Sequence, residues 1–437
     1  SVNNNSALIF DGKKNSSSTH FFLKSKLDLD VTNFDEAKLD LKIQQTSDDD
    51  YLKTYKLKSP LIESENTLHS SIDLNIYRQD LEIAIVAEAY ENLSLSNNDR
   101  YEYVYPSFAI LKNIKDFDNG NLSLNSSGHN KEFNTNINEK TFINDLSYKS
   151  YNKINALGLT SNYEILLKNF NNKSQKSPTN KNKTENSLQS IINYEMKYPL
   201  QKIGEKFLST ITPVLSARYS PNQTKDKSQD DRIIDLNNIF SINRIGYSDT
   251  VEGGQSVTIG SEYALYKNKG NNEKLFTVNL ATALRDVKNN RLPTNSTLGK
   301  KNSDIFGNID FDASKFADFT YNFSLDNNLK TLNFNQIKSN LTFNNFVSTF
   351  DFFERNNLLG SESYFSNESK LKINKSSSLG FETRINKEKD LTEYYNLIYE
   401  YRNDCLIAGI EFKKDFYSDG SLKPEERLFF SITIMPF

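Results

Sequence analysis

Tryptophan is absent from these 437 residues, cysteine occurs once and histidine three times. One cysteine excludes a disulfide framework closed within the chain. Three scattered histidines (His20, His69 and His129) have no metal-ligand spacing. No apolar run approaches the roughly 20 residues of a membrane-spanning helix, and mean hydropathy is −0.64. Excess charge of either sign is also missing: 53 Lys and Arg against 56 Asp and Glu give −3, unlike a dedicated nucleic-acid binder. The HExxH, GxSxG and P-loop patterns do not occur, so the sequence suggests no enzyme and no cofactor. Helical periodicity is scarce, and abundant Asn and Ser disfavour helix interiors.

What the chain does contain is 30 Phe and 23 Tyr, too many aromatics for a disordered polymer. They recur with period two. In Phe319–Asp326 the residues Phe319, Tyr321, Phe323 and Leu325 alternate with Thr320, Asn322, Ser324 and Asp326. The same alternation runs through Leu23–Val31, Leu39–Gln44, Ser71–Ile76, Leu81–Ala89, Ser256–Leu265, Phe276–Leu284 and Leu379–Ile385. Successive strand side chains point to opposite faces, so these runs are strands with one apolar and one polar face. Turn signals punctuate them at Asp11-Gly12, Asn119-Gly120, Gly253-Gly254 and Asp419-Gly420. Two polar stretches, Asn171–Asn186 and Pro221–Arg232, read as extended surface loops. No repeat or linker divides residues 1–437, which read as one continuous antiparallel meander.

A transmembrane barrel turns such apolar faces to lipid and the polar faces to a wet interior. With strands of about 9–11 residues plus connections, the chain supplies about 18–22 of them. The expected fold is therefore all-β, a large antiparallel transmembrane β-barrel. A soluble all-β sandwich is the competing architecture. Ser1 is not an initiator Met, and residues 1–20 lack the apolar core of a signal peptide. The chain is expected to be part of a longer protein.

The C-terminus ends in the strand-like run Arg427–Phe437, closing on an aromatic residue. The face carrying Leu428, Phe430, Ile432, Ile434 and Pro436 is more apolar than that carrying Phe429, Ser431, Thr433, Met435 and Phe437; the sequence leaves open which meets lipid. Two segments carry a family resemblance: Asn237–Tyr263 (NNIFSINRIGYSDTVEGGQSVTIGSEY) and Asn403–Phe437 (NDCLIAGIEFKKDFYSDGSLKPEERLFFSITIMPF). Both resemble the barrel region of the LptD family, the LPS-assembly or organic solvent tolerance (OstA) proteins of Gram-negative outer membranes. Leu68–Tyr105 is similar to a middle part of that barrel. The resemblance implies a translocon that inserts lipopolysaccharide (LPS) into the outer leaflet through a lateral seam. It further implies an LptE-like lipoprotein plug in the lumen and periplasmic LPS bridge proteins that dock on an N-terminal jelly roll. That jelly roll and the first barrel strands are not recognisable in this chain. The alternatives are a porin-like diffusion channel and a soluble or surface all-β adhesin.

Three features are candidate sites. If Phe437 lies in the periplasm, counting strands backward puts Cys405 at a periplasmic strand end beside the Arg402-Asn403-Asp404 turn. An odd cysteine in an oxidising compartment suggests a partner outside the chain, and in the resembled family cysteines here bond to the periplasmic domain. The plainer reading is a buried free thiol. The terminal strand, Leu428, Phe429, Phe430, Ser431, Ile432, Thr433, Ile434, Met435, Pro436 and Phe437, is the expected seam strand. There Pro436 removes one backbone donor or simply ends the strand. Gly253 and Gly254, beside Asp249 and Glu252, read as a structural turn or bulge; a contact to LPS or cations is the rarer use. The acidic clusters Asp48–Asp50 and Asp230–Asp231 lack the spaced ligands of a calcium loop and read as solvated loops.

Overall fold

A computed structural model describes residues 7–14, 19–55, 60–95, 100–133, 137–177, 182, 184–268, 273–312, 316–357, 360–416 and 424–434. Its elements are almost all strands: β1 (Ala7–Lys14), β2 (Thr19–Asp28), β3 (Glu36–Thr46), β4 (Thr67–Arg78), β5 (Leu81–Asn92), β6 (Tyr101–Phe117), β7 (Gly120–Phe133), β8 (Ile137–Ser150), β9 (Lys153–Ile154), β10 (Thr160–Gln175), β11 (Thr184–Lys197) and β12 (Leu200–Ile203). They continue with β13 (Phe207–Ser220), β14 (Gly254–Lys267), β15 (Glu273–Arg285), β16 (Ile305–Asp312), β17 (Ala317–Leu325), β18 (Leu332–Phe343), β19 (Phe346–Asn357), β20 (Gly360–Lys372), β21 (Ser377–Asn386), β22 (Leu391–Arg402), β23 (Leu406–Asp415) and β24 (Glu425–Ile434). Among the described residues, setting aside the two-residue β9 and four-residue β12 leaves 22 strands of eight residues or more, at the top of the expected range. One five-residue helix, α1 (Tyr51–Tyr55), and a 3-10 turn at Thr294–Ser296 interrupt them. Among the described residues no helix is long and apolar enough to cross a membrane, a test that does not bear on strands.

Two compact units divide the chain. The first comprises Ser1–Tyr151, Tyr163–Ile192 and Tyr247–Val251; the second comprises Asn152–Asn162, Asn193–Gly246 and Glu252–Phe437. In the first, antiparallel ladders join strands in sequence order from β1 to β8, and β8 pairs with Glu164–Gln175 of β10. In the second, the ladders run in order from β12 to β24. Short connections permit this, as where Phe117 faces Gly120 across the Asp118-Asn119 turn.

Burial is inverted relative to a water-soluble sheet. Among the described residues, 31 buried ones are polar or charged and 22 are apolar. The exposed set includes Ile72, Ile85, Ile211, Ile259, Phe381 and Ile432. On β13, Ser216, Arg218 and Ser220 are buried while Tyr219 is 52% exposed; on β14, Ser256 and Thr258 are buried while Val257 and Ile259 are exposed. Period-two alternation thus puts the apolar side chains outward and the polar ones inward, as in strands that face lipid.

Two sequence expectations about the strands change. Asp11-Gly12 lies inside β1, paired with Phe22 and Phe21 of β2, and is not a turn. The stretch Asn171–Asn186 is not one loop: Asn171–Gln175 completes β10 and Thr184–Asn186 opens β11, with residues 178–181 and 183 outside the described set. Its polarity follows from strand length. β10 has 16 residues, more than the roughly 9–11 that cross a bilayer, so part of it needs no apolar face.

Candidate functional site

The residues between β13 and β14, together with those between β15 and β16, are neither strand nor loose surface loop. Pro221–Arg232 was expected to be surface, yet Thr224 within it is 1% exposed, and Ile234, Ile239 and Ile245 follow as buried residues. Backbone and side-chain hydrogen bonds tie the two connectors together. The Lys227 amide donates to the Arg291 carbonyl (2.8 Å), Asn289 Nδ2 donates to Thr224 Oγ1 (3.1 Å), and Arg291 Nη1 donates to the Thr224 carbonyl (3.3 Å). Within the first connector, Arg232 Nη2 donates to the Arg244 carbonyl at 2.9 Å.

The connector is fastened to the polar face of β13–β15 by one acidic residue and three basic ones. Register makes the meeting possible: Arg218 of β13 lies opposite Ser256 of β14, which lies opposite Arg285 of β15. Arg244 reaches the same row from the connector. Its Nε donates to Glu252 Oε2 and its Nη2 to Glu252 Oε1, each at 2.6 Å, a two-pronged fork. The same guanidinium donates to Thr258 Oγ1 (3.0 Å) and Ser256 Oγ (2.9 Å). Arg285 Nη1 also donates to Glu252 Oε1, while its Nη2 donates to the Gly253 carbonyl at 2.5 Å. Arg218 Nη1 stands 3.5 Å from Glu252 Oε2, and its Nη2 donates to the Ser241 carbonyl. Side-chain exposures are 0% for Arg244, 1% for Glu252, 2% for Arg285 and 3% for Arg218. Burial alone pushes the Glu252 carboxyl up, but the guanidiniums of Arg244, Arg218 and Arg285 outweigh it and bring the group down to about 2.

Gly253 and Gly254, read from the sequence as a structural turn, adjoin this clasp. Gly254 has φ +88°, in the left-handed region. At Gly253 a Cβ would overlap the Asn222 carbonyl, and its amide donates to Thr224 Oγ1 at 2.8 Å. The two glycines let the chain fold the Glu252 carboxylate back under β14. Sequence reading singled out the glycines and named Glu252, but missed Arg218, Arg244 and Arg285. Arginines recurring on the polar face of alternating runs were the available signal.

The first unit carries a smaller polar cluster. His69 Nε2 lies 3.1 Å from Glu88 Oε1, which also accepts from the Tyr90 hydroxyl at 2.7 Å; the His69 and Tyr90 rings stack 4.4 Å apart. Lys42 Nζ lies 2.8 Å from Glu63, and this hydrogen bond holds the Glu63 carboxyl below the ordinary range. Glu88, Tyr90, Arg100, Glu102, His129 and Lys131 border a polar groove of about 810 Å³. Among the described residues no cluster of His, Cys, Asp and Glu could hold a metal ion. Asp49 instead pairs with Arg100 at 2.6 Å, and Asp231 with Arg355 at 3.4 Å.

Cys405 is a free, half-buried thiol at the foot of β23. Its amide and that of Leu406 both donate to Asn403 Oδ1, at 3.0 and 2.8 Å, which fixes the tight turn after β22. On β24, Leu428, Phe430, Ile432 and Ile434 are 57–77% exposed, and Ser431 and Thr433 on the other face are exposed as well. Among the described residues β24 pairs with β23 alone. Met435, Pro436 and Phe437 lie outside the described residues, as does the Asp419-Gly420 turn signal.

Residues 18–388 match the family described as LptD, LPS transport system D. The chain belongs to the LptD family. It is accordingly an antiparallel transmembrane β-barrel of the Gram-negative outer membrane, and the family's role is transport of LPS by the Lpt system. The match includes Leu68–Tyr105 and the Asn237–Tyr263 segment that builds the clasp; Asn403–Phe437 lies beyond it. No curated protein matches the chain. Solved structures overlap it loosely. The siderophore receptor PirA from Pseudomonas aeruginosa shares 12% identity, with 98% of this chain and 79% of that one covered and a TM-score of 0.49. PirA from Acinetobacter baumannii shares 8%, covering 98% and 72% at 0.38. The copper transporter OprC shares 8%, covering 94% and 66% at 0.32. Family membership rests on the sequence match.

Proposed function

We propose that this LptD-family chain is the translocon barrel itself, with all of residues 1–437 belonging to the barrel region. LPS sugars travel along its polar inner face, and the acyl chains leave sideways at the terminal strand, Leu428–Phe437. The observation that carries this reading is the character of β24, a strand with a row of exposed apolar side chains, Leu428, Phe430, Ile432 and Ile434, and a single ladder partner among the described residues. Such an edge in lipid leaves backbone groups to be satisfied by a weakly held neighbour, which suits a seam that opens. A wide polar interior calls for a plug, and an LptE-like lipoprotein fits that role. Periplasmic LPS bridge proteins are the proposed source of cargo. Cys405 is proposed to form a disulfide with a cysteine outside this chain. No catalytic step belongs to the proposal.

The test is a photo-crosslinking amino acid placed singly at Ser431 and Thr433 in cells making LPS. LPS adducts are expected at both positions, disappearing when LPS synthesis is blocked. A complete lack of adducts along Leu428–Ile434 would overturn the seam and favour a simple diffusion channel.

A further inference from the structure

A cluster of cations lies on the polar face of β20–β22, beside the turn that carries Cys405. Its shape follows from the ladders. Lys372 of β20 lies opposite Ser378 of β21, which lies opposite Glu400 of β22. The alternate positions Leu371, Leu379, Tyr399 and Tyr401 are exposed on the apolar face. Ser378 is small and buried, so β21 makes a floor and its neighbours make walls. Two strand spacings, about 10 Å, separate those walls. The Arg402 amide donates to the Ser376 carbonyl at 2.7 Å, which brings the end of β22 against the β20–β21 turn holding Lys375. Lys370, Lys372, Lys375, Arg402, Glu400 and Ser378 thereby border a concave site of about 650 Å³. Among the described residues Glu400 is its one bordering carboxylate, and Lys370 takes it at 3.8 Å. Lys372, Lys375 and Arg402 make no ion pair and no side-chain hydrogen bond among the described residues. The whole chain carries −3, so this positive excess is local. Like charges gathered in this way repel one another and do nothing for the fold.

We propose that Lys372, Lys375 and Arg402 form a binding site for a phosphorylated sugar, its phosphate held over Ser378 between the β20 and β22 walls. A phosphomonoester brings up to two negative charges and three acceptor oxygens. The lysines answer it as point charges, and the planar guanidinium takes two oxygens side by side. A lone carboxylate would balance only one of the three cations. The concavity is much larger than a phosphate, so it admits the sugar that bears the group. Glu400 and Asn345, which also border the site, are placed to bond that sugar's hydroxyls. The phosphosugar is either free or the head of a glycolipid. Only the second source rests on the LPS-transport reading above; in that case the glycolipid's phosphate is held at the Cys405 end of the strands.

The test uses the full chain, folded and purified in detergent, titrated calorimetrically at constant ionic strength with lipid A, dephosphorylated lipid A, glucose 6-phosphate and glucose. One variant combines Lys372→Gln, Lys375→Gln and Arg402→Gln. A control combines Lys330→Gln, Lys387→Gln and Lys389→Gln, which removes the same charge from exposed lysines of other turns. The first variant is expected to bind the phosphorylated ligand at least about tenfold more weakly than the unaltered protein. The control is expected to stay within about twofold, and the ligands without phosphate should not distinguish the three proteins. If lipid A alone shows this pattern, the ligand is the glycolipid. If glucose 6-phosphate shows it and lipid A does not, the site stands with the free phosphosugar as ligand. Equal losses in the variant and the control overturn the proposal and leave a general attraction for anions, as does binding that is indifferent to all the substitutions. Variant-sensitive binding of a poly-glutamate peptide with none for either phosphorylated ligand also overturns it, and makes the cluster a docking surface for an acidic protein segment. Folding is checked by heat-modifiable gel mobility. Should the triple variant not fold, Lys375→Gln in the turn is expected to weaken binding at least about threefold; no weakening overturns the site. Because the titrations need no LPS traffic, they fail independently of the crosslinking at β24.

Discussion

Replacing Glu252 by Gln tests the energetics of the clasp. The folded carboxyl titrates at about 2 instead of 4.5. That displacement of about 2.5 pH units is worth about 3 kcal/mol at neutral pH. With 1% of the side chain exposed, solvent screening takes little from it. Removing one partner of a buried ion pair independently costs about 3–5 kcal/mol. The assay is urea unfolding of the protein in lipid vesicles, read by heat-modifiable gel mobility. E252Q is expected to lose about 3 kcal/mol at pH 7, a shift of more than a hundredfold in the unfolding equilibrium. The sign of the pH dependence follows from a depressed carboxylate. The contribution is complete above about pH 4.5 and fades only as pH falls toward 2, so the difference between E252Q and the unaltered protein should be flat from pH 8 to pH 5. A loss below about 0.5 kcal/mol would refute the reasoning, as would a difference that collapses between pH 7 and pH 6.

Three further outcomes are expected. Ile432→Lys puts a charge on a side chain that is 73% exposed on the apolar face of β24. It should cost about 2–4 kcal/mol if it lies near the bilayer midplane, whereas Ser431→Lys on the opposite face should fold normally by the same gel assay. Gly253→Ala should destabilise more than Gly254→Ala, because the first meets the Asn222 backbone while the second strains a positive φ at about 1–2 kcal/mol. Equal urea midpoints for the two would contradict this. Cys405→Ser should leave the folded fraction unchanged and remove a disulfide-linked species from non-reducing gels of native outer membranes; persistence of that species would show that Cys405 does not form it.

The strands were legible because their signal is local. Phe319, Tyr321 and Phe323 announce β17 within a few residues, and Val257 and Ile259 do the same for β14. Strand identity needs only which side chains face lipid, and period two records that directly. Polar strand ends were less readable, since Asn171–Gln175 has no lipid face to mark. Asp11-Gly12 misled because turn residues also occur inside strands. The clasp was hidden for another reason. Arg218 and Arg285 are 67 residues apart and meet only through the registers of two ladders, while Arg244 and Glu252 sit in a segment without periodicity. The family resemblance was carried partly by that aperiodic segment, whose residues are tied to one site rather than to a repeating face.

The order in which the ladders join has a bearing on assembly. Where strands neighbour one another in sequence, each hairpin can be laid against the last with little entropy lost to loop closure. The β13–β14 ladder is different: Ser220 pairs with Gly254 across 33 intervening residues. Its clasp further requires Arg285, which arrives only with the end of β15. Closing Glu252 onto the three arginines can therefore be achieved only after β13, β14 and β15 are all in place, making it a checkpoint on their correct registration. A one-residue slip in either ladder would turn Arg218 or Arg285 toward lipid and leave the carboxylate without its partners.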